Sequence, residues 1–269
     1  MSDPTFCFWS VADGAYASMM AACIHSARQV GVTTDFHIWT DRPIAGAICH
    51  PSGQYPHRNY FFKFDFLLKT VSLPYDYFIF LDADNYFVRH PGNLLRCLRG
   101  APVHVCLESD CTRPDNIRPD WWGCLLPDYV QLMRDCGVRS RSIYNTNAGF
   151  WIVHRDVAQR VVELATEFQN ISAQRGYSFT EEAPLAYVGH MLMGNPYVHT
   201  LAETTDIWAS DWTGVFADRL PDDQPWHFID YMNDSPILVN PAIVHCMRSK
   251  TALITASAPL KHPIPTPAS

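Results

Sequence analysis

Five apolar residues in a row, Tyr77-Phe78-Ile79-Phe80-Leu81, end abruptly in Asp82. A run with no polar alternation leaves neither face for water. It predicts a strand buried on both sides, which requires layers of helix above and below it. The rest of the chain supplies such layers. Phe6 to Val11 reads as a strand, Ala15 to Val30 as a helix stopped by Gly31, Phe36 to Thr40 as a strand, and Tyr60 to Val71 as a helix closed by Pro74. Val103 to Leu107 and Asn147 to Val153 read as further strands. Val157 to Gln169 reads as a helix with Val161, Val162, Leu164, Ala165 and Phe168 on its inner side. A last strand, Ile237 to Val244, is broken by Pro241 and ends at His245. This alternation predicts an α/β fold with a largely parallel sheet covered on both faces. Ligands of such sheets bind beyond the carboxyl ends of the strands, and Asp82 stands at one of those ends.

A chain of 269 residues can bury a sizeable core, and no internal repeat or linker asks for a second domain. One domain is expected over residues 1–255, with residues 256–269 as a frayed tail rich in Pro and Ala. The net charge of −7 argues against nucleic acid or an anionic membrane as the main partner. No apolar run is long enough to span a bilayer, and Met1-Ser2-Asp3-Pro4 lacks the pattern of a secretion signal. The nine cysteines are odd in number and contain no C-x-x-C pair, which reads as buried thiols in a reduced, cytoplasmic protein.

Asp82 and Asp84 flank one small residue just past the buried strand. Two carboxylates so close repel one another unless a cation neutralises them. Mn²⁺ or Mg²⁺ suits the pair, because such ions take carboxylate, phosphate and water oxygens together. Ala83 keeps the turn slim enough for a nucleotide to approach the backbone. A solvated acidic turn or a helix cap is the plain alternative.

Leu81-Asp82-Ala83-Asp84 resembles the D-x-D signature of the GT-A glycosyltransferases, in particular the glycogenin and lipopolysaccharide galactosyltransferase family. Three more segments resemble that family in the same order: Val11-Ala12-Asp13-Gly14-Ala15-Tyr16, Tyr144 to Ile152, and Ile243-Val244-His245. The resemblance implies a single GT-A domain, Rossmann-like, with a mixed and mostly parallel sheet flanked by helices. It implies transfer of a hexose from a nucleotide-sugar, favouring a UDP-sugar, to an acceptor that the sequence does not name. Asp82, Asp84 and His245 would hold Mn²⁺ or Mg²⁺. Ser10, Ala12, Asp13 and Tyr16 would hold the nucleoside, Tyr16 by stacking and Asp13 by accepting a hydrogen bond. Ala83, Asn147, Ala148 and Gly149 would line the donor pocket, with Lys63 and Lys250 facing the phosphates. Lys63 is equally readable as an exposed helix lysine, and His245 as a core histidine.

Two departures from the family stand out. His245 to Thr251 is one residue shorter than the family's loop and lacks its glycine, so the closing loop differs, with Arg248 an alternative to Lys250. Where the family carries Asp-Gln before a helix, this chain has Glu181-Glu182. The resemblance gives these two the catalytic role of binding the sugar or stabilising its developing charge, with retention at the anomeric carbon. Thr180 followed by acids also makes a helix N-terminus, so capping competes with that role. Trp121, Trp122, Trp208, Trp212, Trp226, His227, Asp206, Asp211 and Asp230 are candidates for the acceptor side.

Other chemistries fit less well. A haloacid dehalogenase places its Asp-x-Asp near the N-terminus and follows it with Gly-Thr, whereas Asn85-Tyr86 follows here. A nucleotidyltransferase needs a glycine-rich basic loop after the first strand, and Ser10-Val11-Ala12-Asp13-Gly14 is not one. A non-catalytic sugar- or nucleotide-binding protein is the alternative from another class.

Overall fold

The apolar strands are unbroken because each serves two cores at once. The computed structural model describes residues 3–55, 60–98, 100–113, 119–193, 206–211, 228–230 and 237–247. In chain order the elements are β1 (Phe6–Val11), α1 (Ala15–Gln29), β2 (Phe36–Thr40), β3 (Ile48–Pro51), α2 (Phe62–Thr70), β4 (Tyr77–Leu81), β5 (Asn85–Phe87), β6 (Val103–Asp110), β7 (Asp120–Trp121), β8 (Cys124–Leu125), α3 (Leu126–Asp135), β9 (Tyr144–His154), α4 (Ala158–Gln174), α5 (Glu182–Leu192), β10 (Trp208–Ser210), β11 (Phe228–Asp230), β12 (Ile237–Val239) and β13 (Ile243–His245).

The central sheet has six strands in the order β3-β2-β1-β4-β9-β6. β3, β2, β1 and β4 run parallel, and β9 runs antiparallel to both β4 and β6. Cys7, Trp9, Phe78, Phe80, Trp151 and Val153 belong to one core, which α2, α3, α4 and α5 cover. Phe8, Ile79, Leu81, Phe150 and Ile152 belong to the other, which α1 covers. The alternation of period two along each strand is thus preserved, with both destinations apolar. The result is a mixed α/β fold with a largely parallel sheet flanked by helices. On the first face Trp9 meets Phe80 and Trp151 at centroid distances of 4.8 and 5.4 Å, so these aromatics serve the core.

β1, β2 and β4 match the apolar runs residue for residue, and α4 buries the five apolar residues expected of it. Three expectations are corrected. The helix expected from Tyr60 begins at Phe62, because Tyr60 sits at φ 53°, outside the right-handed region. The strand expected over Asn147 to Val153 is the longer β9, against which β6 bulges.

The third correction concerns the end of the described chain. The strand expected from Ile237 to Val244 is two strands with Pro241 between them, since proline lacks the ladder N–H. β12 pairs with β11, while β13 joins a separate sheet ordered β10-β13-β5 and runs antiparallel to β5. His245 therefore does not approach along the parallel sheet. It arrives from a second sheet, whose register sets it opposite Asn85.

All nine cysteines are free thiols, and seven of them are buried. Among the described residues, no helix is long and apolar enough to cross a membrane. The tail from residue 256 lies outside the described residues.

Candidate metal and ligand cleft

Asp82 follows β4 directly, and its backbone N–H donates to the Gly149 carbonyl of β9 at 3.0 Å. Asp84, two residues on, is tied to the other sheet, its carbonyl accepting from the Cys246 N–H at 2.8 Å. The Asn85 side chain spans the two sheets. Its Nδ2 donates to the carbonyls of Asp82 (2.8 Å) and Gly149 (3.2 Å), and its Oδ1 accepts from Trp208 Nε1 at 2.8 Å.

The His245 ring arrives beside this turn. Its Nε2 lies 3.1 Å from Asp84 Oδ1 and 3.8 Å from Asp82 Oδ2, and its Nδ1 lies 3.1 Å from Ser210 Oγ. One ligand atom each from Asp82, Asp84 and His245 lie within 4.8 Å of one another. A ring nitrogen facing two carboxylate oxygens needs a proton or a cation between them. Two hard oxygens and one imidazole nitrogen fit Mn²⁺ or Mg²⁺, and Ser210 fixes the ring from behind. Gly149 makes room for that ring, since a Cβ there would stand 2.7 Å from His245 Nδ1.

Lys63 decides between two sequence readings. It is buried on α2 rather than exposed, with Nζ 2.8 Å from Asp82 Oδ1 and 2.5 Å from Glu181 Oε1. Burial alone would lower its pKa, but the charges of Asp82 and Glu181 outweigh that and raise it, so the ammonium persists. Burial raises the Glu181 carboxyl, Asp82 adds to the rise, and Lys63 opposes it. Glu182 retains some accessible surface, yet burial pushes its carboxyl well above the usual range. Glu108 and Glu181 push it further, while a 2.7 Å hydrogen bond from Trp122 Nε1 opposes them. Thr180 does not cap α5: the residue preceding that helix is Glu181, and no side chain accepts from the first turn. The two glutamates face the cleft instead.

The cleft holds a cavity of about 190 Å³. One water needs roughly 10–15 Å³, so this is room for a ligand and not for a single hydrated ion alone. Of the residues singled out in the sequence, Asp13, Tyr16, Lys63, Asp82, Ala83, Asp84, Asn147, Glu181, Glu182 and His245 line it. Among these residues five carboxylates face one lysine, an imbalance that favours a cation. Asp13 accepts from Ser52 Oγ at 3.0 Å, and the Tyr16 ring is exposed. Asn147 turns Oδ1 back to accept from its own Gly149 N–H and keeps Nδ2 near Met247 Sδ.

Ser10, Ala12, Ala148 and Gly149 are placed otherwise. Ser10, Ala12 and Ala148 are buried in the sheet and its flanking turn, and Gly149 acts through His245. Lys250, Arg248, Trp212, Trp226 and His227 lie outside the described residues. Of the acceptor-side candidates, Trp121 packs on Tyr129, Trp208 is buried against Asn85, Asp211 is buried, and Asp206 is exposed near Arg96. Among the candidates whose side chains are described, only Trp122 lines the cleft, and the Asp230 side chain lies outside the described residues. Sequence reasoning missed Tyr55, Tyr60, Phe62 and Met247, which also line it.

Trp122 and Gly123 form the two-residue turn between β7 and β8, and both have positive φ, 53° and 76°. That is the type I′ pattern, in which Asn-Gly is the favoured pair. A tryptophan held there costs roughly 1–2 kcal/mol relative to an unstrained backbone. Compared with protein-family models and with curated proteins, the chain gives no match, so the chemistry of the cleft is read from its geometry.

Proposed function

We propose that the protein is a metal-dependent glycosyltransferase, moving a hexose from a nucleoside diphosphate sugar, a UDP-sugar by the resemblance, to an acceptor hydroxyl. The observation that carries this reading is the convergence of Asp82, Asp84 and His245 within 4.8 Å, in a cleft at the carboxyl end of the strand carrying Asp82. In the transfer, the bond from the anomeric carbon to the diphosphate oxygen breaks and that oxygen keeps the electron pair. The acceptor oxygen bonds to the anomeric carbon and its proton is released. A divalent cation held by Asp82, Asp84 and His245 supplies neutralising charge at the departing diphosphate. Asp13 and Tyr16 line the same cleft and are the residues to which this reading gives the nucleoside. Lys63 fixes the Asp82 and Glu181 carboxylates, and Glu181 and Glu182 face positive charge that develops on the sugar.

The test is a panel of UDP-, GDP- and dTDP-sugars, read by thermal stabilisation and slow hydrolysis with and without Mn²⁺. A UDP-sugar should stabilise and turn over only with Mn²⁺, and Asp84→Asn should abolish both responses. If no sugar nucleotide stabilises the protein with the metal present, the reading fails. Stabilisation without turnover of any donor leaves a sugar-nucleotide-binding protein in its place.

A further inference from the structure

Among the described residues only Tyr60 and Trp122 hold a positive φ without being glycine. Both are aromatic, both are about half exposed at 45% and 50%, and both line the one cleft that carries the metal-ligand group. Strained backbone that presents a large apolar ring to water is not explained by packing, since neither ring is buried. Residues in such conformations concentrate where a ligand is clamped.

Their place along the cleft wall is fixed by contacts. From Asp82 a chain runs through Lys63 to Glu181, then to the neighbouring Glu182, and from Glu182 Oε2 to Trp122 Nε1. Tyr60 stands beside the same chain, with Lys63 Nζ 5.7 Å from its ring centroid. Along this chain of contacts Trp122 is separated from Asp82 by Lys63 and both glutamates, while the reading above sets the diphosphate at the Asp82 end.

We infer that Tyr60 and Trp122 form the acceptor subsite, and that the acceptor is a saccharide whose ring stacks on Trp122 while a hydroxyl donates to Glu182. An aromatic face beside a carboxylate oxygen matches the apolar face and hydroxyl rim of a pyranose. An anionic acceptor is disfavoured by Glu181 and Glu182. This rests on the glycosyltransferase reading for the word acceptor, but saccharide binding is measurable without it.

Trp122→Asn is the decisive variant, because Asn-Gly is the preferred type I′ pair, so the turn is kept and only the ring is removed. Methyl glucosides, methyl galactosides, maltose, cellobiose and lactose serve as probes, followed by ligand-observed NMR with UDP and Mn²⁺ present. At least one should bind the wild type and lose about tenfold in affinity in Trp122→Asn, with Trp122→Phe closer to wild type. Tyr60→Ala should weaken the same saccharide, and UDP–Mn²⁺ affinity should stay within about twofold in the two Trp122 variants, whose ring is joined to Asp82 only through Lys63 and both glutamates. A saccharide that binds Trp122→Asn as tightly as wild type overturns the inference, and so does a wild type that binds none of them. Salt-sensitive binding of a lysine ester at Trp122 in place of any saccharide also overturns it, assigning the site to a cationic acceptor. Failure of UDP and Mn²⁺ to bind, with saccharide binding still dependent on Trp122, instead removes the glycosyltransferase reading and leaves a saccharide site.

Discussion

The two ends of the cleft are built by opposite means. At the inner end, Asp84, His245 and Lys63 are buried, and each is fixed by a register, a backbone hydrogen bond or an ion pair. At the outer end, Tyr60 and Trp122 are held by strained turns and remain half exposed. Charge is costly to bury unless its partners are fixed, so the inner end needs the rigidity of sheets. An aromatic ring needs no such network and can be carried on a two-residue turn. The inner end thus offers prearranged charged atoms, and the outer end exposed aromatic rings.

The sharpest way to break this contrast is Lys63→Met. It leaves the Glu181 and Asp82 carboxylates without their shared ammonium, and Asp82 is only partly exposed. We expect a loss of about 3 kcal/mol by chemical denaturation in metal-free buffer. A neutral result would mean the inner end is solvated like the outer one.

Next in size is Gly149→Ala. The added Cβ meets His245 Nδ1 at 2.7 Å and Cε1 at 2.8 Å, so the ring must shift from its place beside Ser210 and Asp84 or the backbone must give. Mn²⁺ affinity by calorimetry should fall about tenfold, the scale on which a displaced ligand is felt. Gly189→Ala is the control, since its Cβ meets Val105 Cγ2 at 2.5 Å in the core and should cost stability without touching metal affinity. Equal Mn²⁺ affinity in the two variants would detach His245 from the site.

The smallest effect concerns pH, at the junction of the two ends. The folded state holds the Glu182 carboxyl well above its ordinary value of 4.5. A raised carboxyl contributes fully below 4.5, where both states are protonated, and stability is lost as pH rises through the folded value. Glu182→Gln, a mimic of the neutral acid, should therefore melt no higher than wild type at pH 4 and increasingly higher as pH is raised. A difference that shrinks with rising pH would reverse the assignment.

The inner end was the more legible in sequence, and for the same reason that it is rigid. The run Tyr77–Leu81 and the Asp82-Ala83-Asp84 turn follow from local hydrophobicity, which a single strand writes plainly. Lys63 was ambiguous because a lysine among Phe61, Phe62, Phe64 and Phe66 reads as exposed until its partner, 118 positions away, is known. The joining of β13 to β5 was not legible: three-residue strands carry too little pattern to declare a partner. Ser10 and Ala148 turn inward because adjacent strand residues point to opposite faces, and a motif match does not say which face is which; Ala12 is buried in the turn after β1. Trp122 stands among the acceptor-side candidates of the sequence, but the turn it makes with Gly123 is hidden by its departure from the preferred pair.

Asp82 is anchored to one sheet and Asp84 to another, with Ala83 between them and Asn85 bolting the seam. The spacing of the two backbones that carry the carboxylates is consequently a property of how the sheets abut. An ion bound there would be gauged by the joint itself. Magnesium, which takes oxygens at about 2.0–2.1 Å, and calcium, at about 2.3–2.6 Å, would ask the seam for different widths, so under the metal-dependent function proposed above ion preference would be set where two sheets meet.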